Sequence, residues 1–501
     1  MSAFTHLWNP VGFPSIHTDE GHYIRRGIHV SEGLGAQEPA SRYDHPYFGW
    51  LFLGSIFKLI GYPDSLNPQP GNVNSIESVW SMPRILMGLL AVLDTFLIYK
   101  IAEYRYNRKV AFIAAVLFAV MPYSWLTRSV LLEPIQLPFI LLSILFAIYI
   151  KTYKNKISTD TKKNTLLLSS ISGFFLGLAI FTKLPAFTFI PVVAFLVFTS
   201  TNKRLKALSV WFIPVVLIPL IWPAYAVLVG EYDKLIEGMV FHTTRASKPL
   251  LDNLMSFYEA DPVLLIVGIA GIIFSTVIKR DMLFLFWIIP FLTFLYVIDY
   301  VSSFFLIPLI PPFCIASGIL ITDLSNRIAK NKRRIKELLP LATISMIGIF
   351  GFASTTAAIM ESENSSYFNV LSSVTRYLPK DVNVQSVSAG SSNDNEDDDD
   401  NPNMTVIGNP RFNWILQYVF DKPEYNYKTQ YNLINIHTLE DILDGSEKVI
   451  MIADRDILEI VRNEKEPDNA KAQLRADRLS EIYYNTNIAE TVDRVEIRTN
   501  Y

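Results

Sequence analysis

The chain has 501 residues, 44 Lys and Arg against 47 Asp and Glu, a formal net charge of −3 and a mean hydropathy of +0.28. Half of the residues are hydrophobic, and between residues 83 and 360 apolar runs recur that approach the roughly 20 residues needed to cross a bilayer. That composition excludes a small soluble enzyme, a collagen-like or coiled-coil chain and a wholly disordered one. The near-neutral charge hides a division: residues 1–360 carry 30 basic and 21 acidic side chains, whereas 361–501 carry 14 and 26. Cys314 is the single cysteine and lies in an apolar run, so there is neither an intrachain disulfide nor a cysteine-based zinc site.

Residues 1–82 read as an acidic, histidine-rich first segment with an interfacial helix. Five of the seven histidines (His6, His17, His22, His29 and His45) fall in its first 46 residues. The stretch His17-Thr18-Asp19-Glu20-Gly21-His22-Tyr23 sets two adjacent carboxylates just before an expected helix, where the helix dipole favours anions. The plain alternative for Asp19 is an ordinary N-cap. A second patch, Tyr43-Asp44-His45-Pro46, precedes the aromatic-rich run 47–61, which is too short to span comfortably and suits a helix lying in the membrane interface.

Residues 83–360 read as a bundle of ten spans, at about 83–102, 110–127, 131–150, 166–182, 184–199, 208–229, 263–278, 282–299, 303–322 and 338–360. One alternating set of loops holds 19 Lys and Arg and the opposite set holds 5, namely Arg128, Lys183, Lys234, Arg245 and Lys248. Because basic short loops are retained in the cytoplasm, the second set is expected outside, together with both chain ends. Residues 1–46 contain no apolar stretch suited to a signal peptide or membrane helix. An additional helix upstream of Met1 is the preferred expectation, ahead of an N-terminus that crosses without a cleaved signal.

Residues 361–501 read as a small external acidic α/β domain. Strands are expected at VNVQSV, MTVIG, KVIMIA and the terminal TVDRVEIRTN, with helices near 411–420 and 470–482. The run 391–402 is a solvated acidic loop, because clustered like charges resist burial; calcium binding there is the minor alternative. Asn364 and Asn403 open glycosylation triplets, a pattern common by chance.

An ionisable side chain at membrane depth costs several kcal/mol and marks a function or a buried pair. Arg84, Arg128, Glu133, Lys183 and Arg245 all map to the external ends of spans or beside them. Such cations can hold an anionic lipid phosphate, Arg by bidentate contact; snorkelling at the headgroups is the bland alternative for each. Asp94 lies near the middle of the first counted span and is expected to be a buried partner for a neighbouring helix, with a proton-path role second.

The order of these features resembles a known family. Asp19-Glu20 in a first external loop, Tyr43-Asp44-His45-Pro46 before an interfacial helix, Arg84 opening a span, Arg128-Ser-Val-Leu-Leu-Glu133-Pro134 and Gly177-Leu-Ala-Ile-Phe-Thr-Lys183 are similar to the GT-C membrane glycosyltransferases over roughly residues 15–325. Protein O-mannosyltransferases and the aminoarabinose transferases of lipid A are the relatives the pattern favours. In two respects the chain departs from it: the family's first helix is absent, and the last-loop pattern of a basic residue and Tyr before Leu-Leu-Pro reads Ser302-Ser303-Phe304-Phe305-Leu306-Ile307-Pro308.

The resemblance implies a polyprenyl-phosphate-linked sugar donor and a protein, glycan or lipid acceptor at a lipid bilayer, with no nucleic acid involved. An acceptor hydroxyl is a poor nucleophile, so a carboxylate takes its proton during attack on the anomeric carbon. Asp19 is the expected base and Glu20 orients the acceptor or an arginine. Asp44 and His45 shape the sugar pocket. Arg84, Arg128 and Lys183, with Arg245 weaker, stabilise the leaving phosphate. Glu133 pairs with Arg128 or a donor hydroxyl. No cofactor is expected, although a divalent metal at His17, Asp19 and His22 is conceivable. The competing readings are a membrane transporter and a metal-dependent membrane hydrolase built on the histidine-rich segment.

Overall fold

The structure, a computed structural model, describes residues 1–38, 43–156, 161–243, 249–329, 332–377, 404–420, 426–429, 448–462 and 470–501. Arg245, Asn403, the acidic run 391–402 and the expected strand VNVQSV lie outside the described residues. The chain divides into two compact units. One comprises Met1–Pro14, Gly33–Ser55 and Pro83–Glu361; the other comprises Ser15–Glu32, Ile56–Met82 and Ser362–Tyr501.

The first unit is a helical membrane bundle. Among the described residues six helices are long and apolar enough to cross a bilayer: Val73–Arg105, Leu132–Lys151, Asn164–Thr182, Arg204–Leu228, Ser303–Ile328 and Arg334–Ile359. Two bent pairs raise the number to eight, Arg108–Val120 with Pro122–Arg128 (68°) and Leu250–Ala260 with Pro262–Ile278 (115°). Of the ten apolar stretches read as spans, not all form single long helices among the described residues. The apolar stretches at 184–199 and 282–299 form the shorter helices Leu184–Ser200 and Leu283–Ile298. Hydropathy counts apolar residues but is blind to a bend, and Pro122 and Pro262 each begin a new helical segment where no N–H is needed.

Small residues set the spacing of the bundle. A Cβ on Gly173 would lie 2.1 Å from the carbonyl oxygen of Trp211, and one on Gly177 2.5 Å from that of Pro214, so the Thr161–Thr182 and Arg204–Leu217 helices meet backbone to backbone. Ser143 and Ser172 each donate to the other's carbonyl at 2.8 Å, tying Leu132–Lys156 to Thr161–Thr182 in an environment without competing water. The Ser2–Leu7 helix docks on the bundle through Thr5, whose hydroxyl donates to the Ala119 carbonyl at 2.6 Å, and through Ser2 against Thr95 at 2.7 Å.

Asp94 is fully buried within Val73–Arg105, and neither of its carboxyl oxygens has a hydrogen-bond partner among the described residues. It does not form the inter-helix polar pair expected of it. Helical periodicity put it on an inward face but carried no information on what faces it.

The second unit is α/β. Its five strands, β1 (Met404–Gly408), β2 (Asn426–Thr429), β3 (Lys448–Ala453), β4 (Asn487–Val492) and β5 (Val495–Thr499), stand in the order β2-β1-β3-β5-β4. β1 pairs in parallel with β2 and β3, whereas β5 runs antiparallel to β3 and β4. Ile407, Val449, Met451, Ile457, Leu479 and Ile482 form its core, with β3 buried along all but its first residue. The terminal run expected as one strand is a hairpin, because Asp493 adopts φ +54° and reverses the chain. Helices at Pro410–Tyr418 and Ala470–Tyr484 fall where expected. Asn364 is buried and its side-chain oxygen accepts the Ile16 N–H at 2.9 Å, so this triplet is not displayed for glycosylation once the chain has folded.

His6 gives the N-terminal helix a pH signature. Burial, opposed by the Ser2 carbonyl and reinforced by the charge of Arg128, pushes the imidazole down to about 4 from its usual 6.5. The unfolded chain takes up a proton near pH 6.5 that the folded protein refuses until about pH 4. Stability is thus unaffected above that window and falls through it, by up to about 1.4 kcal/mol per pH unit. Thermal unfolding in detergent between pH 7.5 and 4.5 should show this slope in the wild type and a shallower one in His6→Gln; equal slopes would remove His6 as its source.

Candidate active site

The two carboxylates flagged in the sequence stand in the first turn of the helix Thr18–Ser31. Its cap is His17, not Asp19: His17 Nδ1 accepts the Asp19 N–H at 3.2 Å, while Glu20 Oε1 accepts the His17 N–H at 2.9 Å, a reciprocal capping box. Glu20 is buried and serves the helix start. Asp19 has its backbone engaged and its carboxylate half-exposed, 3.9 Å from His17 Nδ1. Of the pair, only Asp19 presents a side chain that an acceptor can reach. Gly21 lets this helix meet Pro410–Tyr418 closely, since a Cβ there would lie 2.5 Å from Trp414. Among the described residues no three His, Cys, Asp or Glu side chains converge as a metal-binding group, and this applies to His17, Asp19 and His22.

The cations belong to the bundle unit. Arg84 lies inside the helix Val73–Arg105, eleven residues after its start. It is fully buried, and its Nη1 donates to the carbonyls of Pro10 at 3.1 Å and Pro14 at 2.8 Å. Arg128 is likewise fully buried; its Nη2 donates to the Trp8 carbonyl and to that of Asn9 at 2.8 Å. Both arginines are thus held by carbonyls of one short segment, residues 8–14. The Nε and Nη1 of Arg128 have no acceptor among the described residues.

Glu133 pairs with Lys183, correcting the expected pairing with Arg128. Both are buried, Glu133 in the first turn of Leu132–Lys156 and Lys183 just beyond the end of Thr161–Thr182. Acid near a helix N-terminus and base near a C-terminus each meet the favourable end of a dipole. Gln136, unrecognised in the sequence, fixes the pair by donating to the Ala179 carbonyl at 2.9 Å and the Lys183 carbonyl at 2.6 Å.

Asp44 and His45 are half-buried, between Tyr43 and the Phe48–Ile60 helix. Tyr43 itself hydrogen-bonds Glu231, a contact no sequence spacing announces. Asp261 is also missed: it accepts the Leu264 N–H at 2.9 Å and the Tyr123 N–H at 3.3 Å, joining the two bent pairs. Its Asp-Pro start was a readable N-cap signal.

Comparison with known proteins supports one architecture. A family model described as dolichyl-phosphate-mannose-protein mannosyltransferase matches residues 75–225. The apo structure of ArnT from Cupriavidus metallidurans superposes with a TM-score of 0.62 at 12% identity, covering 100% of this chain and 96% of that one. The chain carries the GT-C fold. ArnT bound to undecaprenyl phosphate gives a TM-score of 0.60 at 11% identity, with the same coverage. The archaeal oligosaccharyltransferase AglB from Archaeoglobus fulgidus, in complex with an inhibitory peptide and a dolichol-phosphate, gives 0.56 at 13% identity, covering 100% of this chain and 73% of that one. No curated protein matches the sequence.

The Glu133–Lys183 pair makes a direct prediction. Removing one partner leaves a buried charge uncompensated, so Lys183→Met should cost about 3–5 kcal/mol, and Lys183→Met with Glu133→Gln markedly less. A double-mutant cycle from thermal unfolding in detergent measures the coupling; additive effects would show that the two side chains are not paired.

Proposed function

We propose that the chain transfers a sugar from a polyprenyl-phosphate donor to an acceptor hydroxyl or amine on a protein, glycan or lipid, at the extracytoplasmic face of the membrane. The observation that carries this reading is Arg128: a fully buried guanidinium, held by the same segment 8–14 as Arg84, with two donor nitrogens lacking acceptors among the described residues, in a chain of GT-C fold. Carbonyls satisfy part of the guanidinium's hydrogen-bonding capacity but neutralise none of its charge. A phosphate oxygen would do both.

In the proposed reaction the acceptor loses its proton to the Asp19 carboxylate as its oxygen or nitrogen attacks the anomeric carbon. The bond from that carbon to the phosphate oxygen breaks, its electron pair stays with the phosphate, and configuration inverts. Arg84, Arg128 and Lys183 stabilise the charge developing on the leaving lipid phosphate. Asp44 and His45 contribute to sugar recognition. Glu20 orients the acceptor or an arginine, and its Oε1 also accepts the His17 N–H in the cap of the helix that carries Asp19. No metal enters this scheme.

The reading is tested with protein in nanodiscs and a polyprenyl-phosphate-sugar donor. Asp19→Asn should lower kcat at least about 100-fold, the lower end of what a general base contributes, while leaving donor binding intact. Arg128→Ala should instead raise the donor KM. An Asp19→Asn variant retaining more than about a tenth of wild-type rate is not missing its base. Uptake of labelled solute into proteoliposomes without sugar transfer would favour a transporter.

A further inference from the structure

The segment 301–308, which leads into and forms the 3-10 start (Ser303–Leu309) of the Ser303–Ile328 helix, is held at three carbonyls by side chains from three other parts of the bundle. Asn253 donates to Val301 at 2.9 Å, Tyr123 to Ser303 at 3.1 Å, and the Trp287 indole N–H to Pro308 at 3.2 Å. Tyr123 is itself fixed by its backbone bond to Asp261 and by stacking on Phe257, with centroids 3.6 Å apart and an interplanar angle of 4°. This segment presents two aromatic rings to the ammonium of Lys183: the Phe305 centroid lies 4.2 Å from Nζ and the Phe304 centroid 5.4 Å. The rings meet edge to face at 74°, which fixes their mutual orientation.

We infer that Phe305, supported by Phe304, is a positioning residue that holds the Lys183 ammonium charged and aimed for the phosphate of the lipid donor. An ammonium has three N–H groups. One goes to Glu133 and a second side is covered by the Phe305 face, which leaves the third to donate to an anionic oxygen. A ring quadrupole attracts the cation without adding the negative charge of a second carboxylate, so it orients Lys183 and does not repel a phosphate. Phe305 is half-buried while Lys183 is buried, so the ring also shields the ammonium from water on that side. The inference rests on the assignment of Lys183 to the donor phosphate made above and adds a residue that touches neither substrate nor reacting atoms.

The test measures the affinity of undecaprenyl phosphate for the full chain in nanodiscs, a readout that requires no knowledge of the sugar. Phenylalanine at 305 is replaced in turn by its mono-, di- and trifluorinated analogues, which keep size and weaken the ring's negative face. Affinity should fall stepwise along the series, Phe305→Trp should retain it, and Phe305→Leu should lose roughly 2- to 30-fold, the range of a cation–π contact. Melting temperature, followed in parallel, should stay flat across the nearly isosteric fluorinated series, so the test survives if Phe305→Leu fails to fold. Lys183→Gln, made with Glu133→Gln so that no buried charge is stranded, separates the two claims. If that double variant binds undecaprenyl phosphate as the wild type does, the donor assignment of Lys183 falls and this inference with it. If it binds more weakly while the fluorinated series is flat, the inference alone is overturned.

Discussion

A cation carried into an apolar bundle must find electron density or lose its charge, and the handling of Arg84, Arg128 and Lys183 organises the bundle unit around that requirement. Each is buried, and each is met differently. The two arginines take backbone carbonyls from residues 8–14. That segment lies beyond the Ser2–Leu7 helix and contains Pro10 and Pro14, so its carbonyls are not consumed by a helical ladder. Irregular backbone and buried guanidinium groups therefore satisfy one another, where either alone would be costly.

Lys183 is met by a carboxylate and by aromatic faces. Two antiparallel helices joined by a short connection place the start of one beside the end of the other, and the dipoles at those ends suit Glu133 and Lys183 respectively. In the Ser302-Ser303-Phe304-Phe305 sequence, at the start of the Ser303–Ile328 helix, both aromatic rings lie against the one ammonium of this group of cations. At this position the ammonium of Lys183 faces polarisable ring surfaces.

The α/β unit follows different physics. Its strands alternate with helices around a small hydrophobic core, in a part of the chain with a surplus of acidic side chains. The helix bearing Asp19 belongs to this unit, and its beginning is fixed by a capping box and by the close approach of Trp414 at Gly21. A carboxylate in the first turn of a capped helix, such as that of Asp19, is positioned through backbone bonds and keeps its own oxygens accessible.

Composition and order by themselves determined that this is a multi-pass membrane protein with a small mixed domain at its end, and that it resembles the GT-C enzymes. Those conclusions depend on summed hydropathy, on turn chemistry and on the sequence order of Asp19, Arg84, Arg128, Glu133 and Lys183, all one-dimensional properties. Tertiary structure alone decided that Glu133 answers Lys183 and not the nearer Arg128, that Glu20 caps a helix, that Asp94 faces no partner among the described residues, and that two apolar stretches are bent. The physical reason is the same in each case: a hydrogen bond or ion pair acts over about 3 Å, and which groups come that close is set by helix packing and proline bends, to which the spacing of residues along the chain is blind.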